Sequence, residues 1–204
     1  TWGTAYRNLQ DALDNSVSCP NTTVDEIWVA EGVYIPTKKH NGSANEHKTF
    51  YINKDLRIYG GFAGTEYYLS DRDPAAHPTI LSGEIGDPES TEDNVYTVVT
   101  FVQAAPTTIL DGIVITKGMA NGYDDNVTRM TCGAAIFNDG EFGVSSPTIS
   151  NCIFPSISYG MGVVNASSDS ARALLGRICR QSVLPVAGSM ANRYERFFSF
   201  CSPR

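Results

Sequence analysis

The opening residues carry a helical period. Over residues 4–14, TAYRNLQDALD, the apolar side chains Tyr6, Leu9, Ala12 and Leu13 fall on one face, with Arg7, Asn8, Asp11 and Asp14 elsewhere. That spacing predicts a short amphipathic helix with Thr4 as its N-cap. From residue 24 onward the period is lost. Short runs rich in β-branched and aromatic residues take over, each bounded by Gly, Pro, Asn or Asp: 27–30, 33–35, 49–52, 56–59, 79–81, 95–102, 109–110, 113–116, 134–137, 148–149 and 153–154. No helix-length amphipathic stretch separates them, which excludes a wound βαβ sheet and predicts an all-β fold.

Three of the runs resemble one another. Thr79-Ile-Leu-Ser-Gly-Glu-Ile85, Thr108-Ile-Leu-Asp-Gly-Ile-Val114 and Thr148-Ile-Ser-Asn-Cys-Ile-Phe154 align without gaps at offsets of 29 and 40 residues. Each reads as a strand, then a corner made by a turn-former (Ser82, Asp111, Asn151) and a small residue (Gly83, Gly112, Cys152), then a second strand. Such corners admit left-handed backbone geometry. Repeats at this spacing predict stacked coils that bury their apolar sides against one another. An ordinary sandwich with three accidental look-alikes is the alternative.

Longer phrases point the same way. They are the opening WGTAYRNLQDALDNS, Asp25-Glu-Ile-Trp-Val-Ala-Glu-Gly-Val-Tyr34, Leu56-Arg-Ile-Tyr-Gly-Gly-Phe-Ala-Gly-Thr-Glu66, Pro78-Thr-Ile-Leu-Ser-Gly-Glu-Ile-Gly86 and Gly133-Ala-Ala-Ile-Phe-Asn138. Together they resemble the right-handed parallel β-helix proteins of bacterial secreted and surface type, the pectate-lyase-like superfamily fold. The last phrase is similar to the Gly-Gly-x-Ile-x-Asn unit of such proteins, with Ala in place of the second Gly. The resemblance implies a β-solenoid over residues 1–154 with an N-terminal capping helix. It implies little about activity, because the fold hosts lyases, hydrolases, adhesins and inert stalks.

Composition divides the chain where the resemblance stops. The net charge of −7 averages an acidic stretch, residues 1–154, and a basic one, residues 155–204; the latter holds six Arg but no Lys and no Thr. The tail reads either as a C-terminal cap or as a frame-shifted or artificially joined segment, and a helix over 168–181 is predicted within it. The start at Thr1, with no Met and no charged-then-apolar leader, is read as a removed signal peptide or an excerpt of a longer protein. The resemblance and this start together imply an extracellular or cell-surface protein of a bacterium. Acidity disfavours nucleic acid as a partner, and no window of 18 apolar residues predicts a membrane span. Cysteines at 19, 132, 152, 179 and 201 have no Cys-x-x-Cys spacing, so a zinc ribbon is excluded and a disulfide framework is not expected.

Chemistry is sparse. Asp124-Asp125 resembles the paired aspartates of pectin hydrolases, but that family's accompanying Gly-His-Gly and Arg-Ile-Lys phrases are absent and the pair sits among turn-formers, so a solvated loop is the better reading. For β-elimination of uronates, which needs a tuned base and charge neutralisation, the candidates are Arg72 and Lys117; a salt-bridged loop anchor and a solvated strand end are their plainer readings. Calcium needs six to eight hard oxygen ligands, and the acidic loop 83–94, with Glu84, Asp87, Glu89, Glu92 and Asp93, is the candidate for it. No other cofactor is implied. The three histidines lack metal-ligand spacing. Tyr51, Tyr59, Tyr67 and Tyr68 (with Phe62 among them) form an aromatic cluster suited either to stacking on sugars or to packing. The expected function is a non-catalytic secreted or surface module, a stalk or an adhesive face for a polysaccharide or a surface protein. The alternative is a polysaccharide lyase or glycoside hydrolase acting on acidic polysaccharide.

Overall fold

The computed structural model describes residues 2–18, 26–122, 130–140, 143–155, 157 and 161–166. Among these the protein is mostly β, with one α-helix, α1 (Leu9–Ser18), and eleven strands. In chain order the strands are β1 (Glu26–Ala30), β2 (Gly32–Tyr34), β3 (Phe50–Ile52), β4 (Arg57–Phe62), β5 (Thr79–Ser82), β6 (Val99–Val102), β7 (Ile109–Asp111), β8 (Ile113–Thr116), β9 (Gly133–Asp139), β10 (Thr148–Ser150) and β11 (Met161–Ala166). They form three sheets, ordered β1-β4-β7-β10, β2-β5-β8 and β3-β6-β9-β11, and every pairing between them is parallel. From β1 to β9 the chain therefore visits the three sheets in strict rotation.

Register explains the short, β-branched runs. Ile27, Ile58, Leu110 and Ile149 occupy one rank across the first sheet. Phe50, Val99, Ile136 and Val163 do the same across the third. All are buried but Ile149, which is partly buried against the core. Each residue thus meets its counterpart from the next strand, and one contiguous core runs through the ranks. Polar ranks stack as well: Asn165 lies opposite Asn138, whose Nδ2 donates to the Asn165 Oδ1 at 2.9 Å.

The helix begins later than its periodicity predicts. Thr4 lies in a single 3₁₀ turn (Trp2–Thr4), and Asn8 caps α1 instead, its Oδ1 accepting from the Gln10 N–H at 2.9 Å. Leu9 and Leu13 are buried in the core with Val29, Phe50 and Leu56, whereas Tyr6, ahead of the helix, is 57% exposed.

The corners are where backbone freedom matters. Between β7 and β8 the chain turns at Gly112 (φ 72°), and after β10 at Asn151 (φ 51°). The gapless alignment of the three look-alike runs is off by one at this point. The ladder sets Thr148, Ile149 and Ser150 opposite Ile109, Leu110 and Asp111, an offset of 39, so Asn151 takes the place of Gly112 rather than of Asp111. The third look-alike, Thr79–Ser82, belongs to another sheet, where it pairs with β2 and β8. Its turn residue Ser82 and its Gly83 show no left-handed φ. Likeness of sequence therefore marks two equivalent corners here, not three.

Two of the predicted runs are shortened. Val95, Thr97 and Val98 are buried but precede β6, and Ile153 forms only a bridge with Val114. The ladder also continues to β11, which the pattern of runs did not include. The tail from residue 167, with its predicted helix at 168–181, lies outside the described residues.

Candidate functional site

The most elaborately braced segment follows β4. Gly61 (φ 96°), the last residue but one of β4, lies against Pro74 where the β1–β4 register shifts. In residues 63–66 the Glu66 carboxylate accepts the N–H groups of Ala63 (2.6 Å), Gly64 (3.0 Å) and Thr65 (2.8 Å). Desolvation works to raise the Glu66 carboxyl, but the N–H groups of Ala63, Thr65, Glu66 and Gly64 outweigh it and hold the group below its usual range. The Glu66 carbonyl accepts from the Trp2 indole at 3.0 Å. Trp2 in turn packs on Trp28 and Phe62, and the last two are stacked with centroids 4.7 Å apart. A 3₁₀ turn (Leu69–Asp71) comes next, where Asp71 Oδ2 accepts the Tyr68 N–H at 3.1 Å.

This bracing presents Tyr67 and Tyr68 to solvent, 88% and 71% exposed. The other tyrosines of the predicted cluster are placed differently. Tyr59 lies beneath the Arg72 guanidinium, 5.2 Å from its ring centroid. Tyr51 is half-buried and stacks on His40 at 4.0 Å. The structure thus divides the four tyrosines into an exposed pair, an anchor platform and a pocket wall.

Arg72 is a loop anchor, but its partner is neither Asp71 nor Asp73. Its guanidinium pairs with the Asp111 carboxylate on β7, and its Nη1 donates to the Gly60 carbonyl at 3.1 Å. Asp111 also accepts from the Ser150 hydroxyl and from Asn151 Nδ2 (2.8 Å). Burial works to raise the Asp111 carboxyl, yet the hydrogen bonds from Ser150, Arg72 and Asn151, with the Arg72 charge, hold it below its usual value. Asp111 and its two donors from the β10 corner escaped sequence reasoning, because a corner residue gives no sign of which side chains lie across from it.

Lys117, at a left-handed corner (φ 58°), is paired with Glu84 at 3.0 Å. The pairing engages one calcium candidate with one lyase candidate. In the rest of the acidic loop the carboxylates shape backbone: Asp93 Oδ2 accepts the Asp87 N–H at 2.6 Å, and Asp87 Oδ1 accepts the Glu89 N–H at 3.0 Å. Glu92 contributes its N–H to Ser90 Oγ at 3.2 Å. Among the described residues no three His, Cys, Asp or Glu come together as a metal site. Asp124 and Asp125 lie outside the described residues. Cys132 is disulfide-bonded and Cys152 is a free thiol, so the cysteines supply at least one covalent link that was not expected.

Two concavities flank α1. One, about 440 Å³ and largely apolar, lies along Trp2, Tyr6, Leu9, Trp28 and Tyr34. The other, about 220 Å³, is walled by Tyr51, His40, Gln10 and three lysines, Lys38, Lys39 and Lys54. These are three of the five lysines in the chain, a concentration visible in the sequence over residues 38–54. No family model, curated protein or solved structure matches this chain. No helix among the described residues is long and apolar enough to cross a membrane.

Proposed function

We propose that the chain is a right-handed parallel β-helix module of a bacterial secreted or surface protein. It is non-catalytic, and it presents an adhesive face to glycans. The rotation of the chain through three parallel sheets, the ranked core and the Asn138–Asn165 stack support the solenoid, in which α1 covers the apolar end of the first coil. The disulfide at Cys132 supports export to an oxidising compartment.

The observation that carries the adhesive role is the exposed pair Tyr67 and Tyr68 on a loop held by Glu66, Asp71 and Arg72. Aromatic rings displayed on a rigid support keep their apolar faces free for a sugar and lose little entropy on binding. A glycan array probed with the wild-type chain and with Tyr67→Ala/Tyr68→Ala tests this. Binding by the wild type that falls in the double variant, with thermal stability unchanged, is the expected result. Release of unsaturated uronate from pectate, alginate or glycosaminoglycan, with or without Ca²⁺, would replace the module by a lyase. Calcium-dependent stabilisation abolished by Asp87→Asn/Asp93→Asn would assign the acidic loop a structural ion.

A further inference from the structure

We propose that the cavity beside Tyr51 is a built subsite for a single uronate residue of an acidic glycan. The inference rests on the glycan-binding reading and names the chemistry of one sugar.

Three features of the wall converge on that ligand. The first is charge. Lys38, Lys39 and Lys54 line the cavity against a single carboxylate, Asp14, in a chain whose net charge is −7. The Asp14 carboxylate is already engaged by Lys38 and by Gln10 Nε2 (3.3 Å), and its charge also acts on Lys54, so one carboxylate is shared among three ammonium groups. Lys39 gives one hydrogen bond to the Ser43 carbonyl (2.6 Å) and Lys54 one to Ser16 Oγ (3.3 Å). Each ammonium carries three donors, which leaves donors free for an anion.

The second feature is an orphan acceptor. Gln10 is 2% exposed and lines this cavity, and its Oε1 is buried without a hydrogen-bond partner in the protein. A buried unpaired acceptor is costly, so a ligand that brings a donor to it is favoured. The third feature is the ring pair. Tyr51 stacked on His40 gives the wall a flat π surface against which the C–H face of a pyranose packs. A uronate presents all three complements on one ring: a carboxylate, hydroxyl donors and an apolar face. A volume of about 220 Å³ lies below the ~300–1,000 Å³ of drug-sized pockets, which fits one ring rather than an oligosaccharide.

Calorimetric titration of the full chain with methyl glycosides of glucuronate and galacturonate, of glucose and of glucose 6-sulfate tests the assignment, with inorganic sulfate as a further probe. The expected result is saturable uronate binding, weakened at least about tenfold in Lys39→Gln/Lys54→Gln and in Gln10→Leu. Lys54→Arg should retain it, and Tyr67→Ala/Tyr68→Ala should leave it unchanged. Circular dichroism melts show that the variants are folded. Sulfate or glucose 6-sulfate binding as tightly as the uronates would overturn the assignment in favour of an unspecific anion site. Array binding that depends on Tyr67 and Tyr68 without uronate binding would overturn the subsite and leave the adhesive reading standing. No glycan binding of any kind would overturn both.

Discussion

Arg72 and Asp111, 39 residues apart in sequence, form a largely buried ion pair that ties the loop after β4 to the end of β7. Their side chains are only 17% and 9% exposed, and Ser150 and Asn151 complete the shell around the carboxylate. Removing one partner strands the other charge, so Arg72→Met is expected to cost about 3–5 kcal/mol at neutral pH. The Asp111 carboxyl titrates lower in the folded chain than in the unfolded one, where it lies near ~3.9. The stabilisation is therefore fully present above that value and is lost as pH falls through the lower, folded value. Urea melts of wild type and Arg72→Met at about pH 7 and at about pH 3 should show the gap between them narrowing in acid. A cost under about 1 kcal/mol at neutral pH would mean that the pair behaves as a surface salt bridge.

The contribution of α1 is tested by two apolar residues. Leu9 is 4% exposed within the core, and Leu9→Ala should lower stability by about 2–5 kcal/mol as a cavity-forming change. Tyr6, placed on the same face by periodicity, is 57% exposed, and Tyr6→Ala should shift stability by less than about 0.5 kcal/mol. Equal effects on the melting midpoint would show that the helix does not seal the core in the way these burials require.

The contrast between Tyr6 and Leu9 shows what the residues disclose locally and what they do not. Runs of Ile, Val and Phe marked most strands because each must bury one face, a requirement that acts within a few residues. Where the helix starts depended on a competition between Thr4 and Asn8 to cap it, and only packing decides that. The three look-alike runs shared corner chemistry but not a sheet, because a corner of the kind at Gly112 serves wherever the backbone must turn. The candidate site was legible to the same extent. That Arg72 anchors a loop followed from its residue type. That its partner is Asp111, and that Lys117 meets Glu84, depends on how the coils stack residues 39 and 33 positions apart, which no local pattern encodes. The exposed tyrosines and the walled-in Tyr51 are indistinguishable until the chain is folded.

Gly61 offers a test of the irregular end of β4 that leads into the tyrosine loop. Its φ of 96° is a conformation that L side chains rarely adopt, and an added Cβ would lie 2.6–2.7 Å from atoms of Pro74. Both costs fall on Gly61→Ala, which should destabilise by about 2–5 kcal/mol from backbone strain and overpacking together. Gly3, around which a Cβ meets nothing within 4 Å, should accept the same change within about 0.5 kcal/mol. Calorimetric melts of the two variants decide it. A tolerant Gly61 would require the end of β4 to follow another backbone path, and the presentation of Tyr67 and Tyr68 would change with it.

Cys152 provides a chemical reading of the corner after β10, at Asn151. Its thiol lies beside the β7 end, donating to the Leu110 carbonyl at 3.6 Å, and burial pushes its pKa up to about 11. A free thiol near 8.5 is substantially ionised at about pH 8, and the thiolate is the reactive form, so Cys152 in the folded protein should alkylate about two orders of magnitude more slowly than in urea. Iodoacetamide labelling followed by peptide mass spectrometry isolates Cys152 from the other cysteines. Arg72→Met should speed its labelling in the folded state if the Asp111 cluster holds this corner closed. Equal rates in folded and unfolded wild type would mean that the corner opens readily, and the tight packing of Asn151 and Ser150 around Asp111 could not then be the resting state.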